Sequence, residues 1–83
     1  MSRLNIKDIR KGDVFIEDLG YGIATARALE DGHEVSEATR SGFECKAQLL
    51  DGNGEPINHV ATYFEDPRYS AYAPRLYTPD ELP

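Results

Sequence analysis

The sequence holds one cysteine, Cys45, among 83 residues. A lone cysteine excludes an internal disulfide, so a fold this small must hold by packing. Poverty in cysteine also suits a reducing compartment. No run of about eighteen apolar residues is present, which excludes a membrane-spanning helix. The start, Met1-Ser2-Arg3-Leu4-Asn5, has no apolar stretch of the kind a secretory signal needs. The expected setting is therefore the cytoplasm.

Basic residues are scarce beyond the first dozen. Residues 1–12 carry Arg3, Lys7, Arg10 and Lys11 against Asp8. Residues 13–66 carry twelve acids against Arg27, Arg40 and Lys46, a local balance of −9 within a net charge of −6. A phosphate backbone demands clustered Lys and Arg, so the acidic middle argues against a nucleic-acid partner. It suits solubility, or a basic partner surface.

Motifs for chemistry are missing too. His33 and His59, the only histidines, make no metal-ligand spacing with Cys45. Cys45 shares the apolar phase of Phe43 and Ala47, which reads as a buried, inert thiol. The acid pairs Glu17-Asp18, Glu30-Asp31 and Glu65-Asp66 are sequence neighbours. On a strand, neighbours point to opposite faces and cannot act as an acid–base pair. Gly20-Tyr21-Gly22 lacks the third glycine of a dinucleotide loop, and Gly52-Asn53-Gly54 lacks the lysine of a phosphate loop. Neither a cofactor nor an enzymatic activity is expected.

What is present is strand pattern and turns. A hydrophobic share of 40% with 29% charged residues describes one globular domain. It is placed at 1–78, with 79–83 as a frayed tail. In 43–50, Phe43, Cys45, Ala47 and Leu49 alternate with Glu44, Lys46 and Gln48, the period of a strand with one buried face. A second apolar run, 57–64, follows Asp51-Gly52-Asn53-Gly54-Glu55-Pro56, whose Asp-Gly and Asn-Gly pairs accept hairpin-turn geometry. Residues 14–18 read as a short β-rich strand, 33–35 as strand, and 75–78 as a short closing strand. Residues 23–30 are ambiguous. Their alanines favour helix, but glycines at 22 and 32 cap it at about two turns, which is marginal alone. Strand is preferred there, as a partner for 14–18. The fold expected is mainly β: a small SH3-like barrel, or a strongly bent antiparallel sheet, of four to six short strands. The alternative is α+β with one short helix at 24–30 or 36–41.

The densest feature is aromatic. Tyr63, Tyr69, Tyr72 and Tyr77, four of the five tyrosines, fall within fifteen residues, interleaved with Arg68 and Arg75. Tyrosine and arginine offer broad amphipathic faces and a planar cation with few rotamers to freeze. These six residues are the candidate binding surface. The competing reading has the rings capping a barrel end, hydroxyls in water.

Two segments carry a family resemblance: Ile6-x-x-Ile9-x-x-Gly12-Asp13-Val14-Phe15, and Tyr72-Ala73-Pro74-Arg75-Leu76-Tyr77. They resemble the ends of small β-barrel proteins of unknown function found in phages and prophages. The resemblance implies a non-enzymatic viral accessory protein acting in the host cytoplasm, and it brings no catalytic residues. The expected activity is binding of a host or viral protein, with a block on host defence as the narrower form. The alternative is a nucleotide-like ligand sequestered by a homo-oligomer, with tyrosines stacking on a base and Arg68 or Arg75 holding phosphate.

Overall fold

In a computed structural model that describes residues 3–79, six strands form one antiparallel sheet. They are β1 (Val14–Asp18), β2 (Ile23–Ala28), β3 (His33–Ser36), β4 (Ser41–Leu50), β5 (Pro56–Glu65) and β6 (Leu76–Tyr77). The ten-residue β4 is the spine. β5 runs along one of its edges. β3 and β2 share the other, opposite 41–44 and 47–50 respectively. β1 continues outward from β2, and β6 from β1.

The alternation at 43–50 and the turn chemistry at 51–56 produce the β4–β5 hairpin as expected. Asp51 Oδ1 accepts the backbone N–H groups of Asn53 (2.8 Å) and Glu55 (3.0 Å). Gly54 turns the chain at φ +81°, where a side chain would be strained. Residues 23–28 are strand, because β1 and β4 pair with them from both sides. Two ladders outweigh the helix preference of three alanines. Residues 37–40 form the β3–β4 turn, closed by Glu37 N–H donating to Arg40 C=O at 2.7 Å. Neither segment takes the helical alternative. Short 3-10 pieces form at Ile6–Asp8 and Pro67–Tyr72.

The sheet does not close into a barrel: β5 lies at one margin and β6 at the other. The open antiparallel sheet is thus the form adopted, and the closed SH3-like barrel is not. Most of the expected tail, 80–83, lies outside the described residues.

What fills the fold is the N-terminal segment. Ile6 and Ile9 are buried with Phe15, Cys45, Tyr63 and Leu76. Around them the strands present small residues, Ala26, Ala28 and Ala47, all buried. Phe15 and Tyr63 meet edge-to-face, centroids 5.3 Å apart. Leu4 N–H donates to Leu76 C=O at 2.8 Å, so the two chain ends meet beside this core. The plug is seated against glycine. Gly32 N–H donates to Ile9 C=O at 2.8 Å, and a Cβ on Gly32 would stand 1.7 Å from the Ile6 carbonyl oxygen.

That approach generates a prediction. Gly32→Ala must push the plug off the sheet and should cost about 2–4 kcal/mol, as overpacking against backbone does. Gly22→Ala, where a Cβ would meet nothing within 4 Å, should stay within about 0.5 kcal/mol. Urea midpoints of the two variants provide the check, and equal midpoints would refute the plug's role.

Candidate functional site

The core face of the sheet is not filled along its whole length. On β1 the side chains of Phe15 and Glu17 share that face, as do their opposite residues on β2, Ala26 and Ala24. Phe15 lies under the plug. Glu17, one step on, does not, and beyond it the face opens into a groove of about 550 Å³. β1 and the residue after it supply Glu17 and Leu19. β5 supplies His59, Ala61 and Tyr63, and Tyr72 with Pro74 forms a rim.

The groove floor holds one polar pair. The Tyr63 hydroxyl and the Glu17 carboxyl are close enough for each to perturb the other's titration. Burial raises the Glu17 carboxyl above its ordinary value, only partly offset by the hydrogen bond from Tyr63. Tyr63 is pushed up to about 12, first by burial and then by the adjacent Glu17 charge. Among the described residues, none of the ion pairs includes Glu17.

A second hollow, about 350 Å³, lies on the other side of Tyr72, walled by Phe64, Asp66 and Tyr69, with Arg40 over the Phe64 ring at 5.0 Å. Tyr72 lines both hollows and is 86% exposed; Tyr69 is 58% exposed. Both come from the 3-10 segment that follows Pro67, which ends β5 by withholding a ladder donor.

The six residues expected to form one surface are divided by the fold. Tyr63 is a core residue, 6% exposed, whose hydroxyl alone serves the groove. Tyr69 and Tyr72 are the exposed aromatic ridge. Arg68 stands beside them, but its guanidinium is already forked onto Asp66, Nη2 to Oδ2 at 2.8 Å and Nε to Oδ1 at 3.1 Å. That contact holds the Asp66 carboxyl below the usual range. Arg75 and Tyr77 flank the buried Leu76 on β6 and so project to the opposite face, Tyr77 opposite Ile16 and Arg75 Nη2 at 3.9 Å from Asp18. Of the four tyrosines, Tyr63 is thus buried, Tyr69 and Tyr72 are exposed, and Tyr77 lies half-buried on the opposite face.

Glu17 is the residue the sequence reading passed over, as half of an acid pair in a turn. One signal was available. It occupies the phase of the apolar Phe15 and Leu19, although Val14 and Ile16 make the other phase of β1 apolar as well.

Cys45 is fully buried, with Sγ 3.3 Å from the Glu30 carbonyl. Burial, followed by the nearby charges of Glu30, Asp31 and Asp13, pushes its thiol up to about 11. Among the described residues, no three His, Cys, Asp or Glu side chains gather as a metal site. No protein-family model, curated protein or solved structure matches the chain.

Tyr63 and Cys45 both hold their protons more tightly in the folded state. The stability they lend is whole below their ordinary values, 10 for tyrosine and 9 for cysteine, and drains as pH rises toward their folded values. Urea midpoints should fall through this alkaline window, with Tyr63 accounting for about 2 kcal/mol. Tyr63→Phe should flatten that alkaline decline even if it is less stable at neutral pH. An unchanged slope would place the tyrosine hydroxyl outside the core.

Proposed function

We propose that this protein is a non-enzymatic accessory protein of viral type that binds a host or viral protein in the host cytoplasm. Interference with host defence is its narrower role. The observation that carries the binding reading is Tyr72, a large aromatic side chain left in solvent on a ridge between two hollows. A lone exposed apolar residue means little, but this one has company at the same end of the sheet. Thr25 of β2 lies opposite Leu50 of β4, so the β1–β2 and β4–β5 turns stand side by side. Leu19, Tyr21 and Ile23 at the first turn and Ile57 and Val60 on β5 are all exposed. Aromatic anchors ringed by apolar and polar surface are the usual make-up of a protein-binding patch.

The viral setting and the role against host defence rest on the resemblance of the two chain ends and on the acidic middle. Among the described residues, no helix is long and apolar enough to cross a membrane. A nucleotide-like ligand between subunits is less well supported, because Arg68 would have to give up Asp66 to hold a phosphate.

The test begins with covalent crosslinking of tagged protein in the cells that make it, and identification of the captured protein. The Tyr69→Ala, Tyr72→Ala double variant should then bind that purified protein at least tenfold more weakly, the loss of about one to two hot-spot contacts. Its melting temperature should stay within a few degrees of the parent, since both rings are exposed. Undiminished affinity would defeat the assignment of this surface. Native mass spectrometry decides the nucleotide alternative: an added mass of a few hundred daltons per subunit in an oligomer would favour it.

A further inference from the structure

We propose that the groove takes a lysine or arginine side chain of the bound protein, held by the Glu17 carboxylate and flanked by apolar neighbours. This rests on the protein-binding reading above and names the chemistry of the partner at that site.

The groove is built for a cation by what it contains and what it lacks. Glu17 is its one acid, and no lysine or arginine lines it. The carboxyl is partly buried, on the core face, opposite Ala24, and no ion pair among the described residues reaches it. The neighbouring Tyr63 hydroxyl takes up at most one of the carboxyl's acceptor positions. A carboxylate has room for several more acceptor contacts, so capacity remains for an incoming N–H donor. Charge-assisted contacts of that kind are the strong ones, and stronger where water is thin. The remaining wall is mostly apolar or aromatic, with Leu19, Leu49, Ala61 and the exposed Tyr72 ring, and its other polar side chains are His59 and Thr62. Methylene stems of lysine or arginine pack well on such walls, and a cation can rest over a tyrosine face.

The charges around the groove point the same way. Glu17 and Asp18 on β1 and Asp51 and Glu55 in the β4–β5 turn belong to this end of the sheet. Its one cation in those elements and in β6's approach is Arg75, placed against Asp18. Lys7, Arg10 and Lys11 stand at the other end, where Gly12 N–H bonds Ala28 C=O and Lys11 N–H bonds Asp31. The charge at the open end therefore favours a basic segment.

The experiment is selection of a phage-displayed library of random short peptides on the immobilised full chain. The parent, Glu17→Gln and the Tyr69→Ala, Tyr72→Ala double variant are selected in parallel. Glutamine keeps the shape and one acceptor oxygen while the charge is lost, so thermal melting of Glu17→Gln should match or exceed the parent. The parent should enrich peptides with a lysine or arginine between apolar residues. Synthetic copies of these should bind Glu17→Gln about tenfold or more weakly, as loss of a charged hydrogen bond implies. Replacing the basic residue by norleucine should weaken binding to the parent similarly, and to Glu17→Gln hardly at all. Enriched peptides without a basic residue, or equal affinity for parent and Glu17→Gln, would overturn the cation site. Loss in the tyrosine variant would then still uphold the binding surface. No enrichment by the parent would overturn both.

Discussion

Everything in this fold depends on how closely a short N-terminal turn can approach the sheet. Ile6 and Ile9 are bulky and buried, and the strands around them offer alanines at positions 26, 28 and 47. Large against small is how a thin layer reaches interior packing density. Burying two isoleucines contributes on the order of 2 kcal/mol each, a large share of the stability of a domain this size. The approach is possible only because residue 32 has no side chain, with the Ile6 carbonyl occupying the space a Cβ would need. Gly42 makes the same concession to the Glu65 carbonyl at the far side of β4.

A plug that fills one end of the core face leaves the other end open. Among the described residues the sheet has no seventh strand to join β5 to β6, and the plug's isoleucines do not line the groove at Glu17. The groove follows from that shortfall. Many of its walls are core-face positions, Ala24, Leu49, Ala61 and Tyr63 among them. At its floor the core-facing phase of β1 carries an acid, Glu17, beside Tyr63 and paired with no cation among the described residues. An arrangement that weakens the free protein a little is available to strengthen a complex, since a partner's cation would find a carboxylate already partly stripped of water.

The two tyrosines that stay in solvent are there for a backbone reason. Pro67 ends β5, and the chain turns back through 3-10 geometry with a break at Tyr69 (φ −128°, ψ 51°). The segment crosses from the β5 margin toward β6 on the far side of the sheet. Residues on such a crossing have neighbours on one side only, so Tyr69 and Tyr72 remain exposed while Leu76 at its end is wholly buried.

Local sequence determined the strands and turns of this protein. The alternation of Phe43, Cys45, Ala47 and Leu49, the Asp-Gly and Asn-Gly turn, and the β-rich 14–18 act over a few residues, and such patterns hold wherever the chain ends up. Ile6, Ile9, Phe15 and, near the other end, Leu76 belong to the core, which nothing in their spacing announced. Tertiary structure decided the rest. Residues 23–28 became strand because two neighbours paired with them. The sheet stayed open because the N-terminal turn, and not a further ladder, covered its core face. The run of tyrosines and arginines was split because alternation on β6 sends Arg75 and Tyr77 away from Leu76, and because Asp66 holds Arg68. Glu17 became the centre of a groove only when β1, β5 and the ridge at Tyr72 came together around it. Contacts between residues dozens of positions apart depend on chain closure and packing, and no local period encodes them.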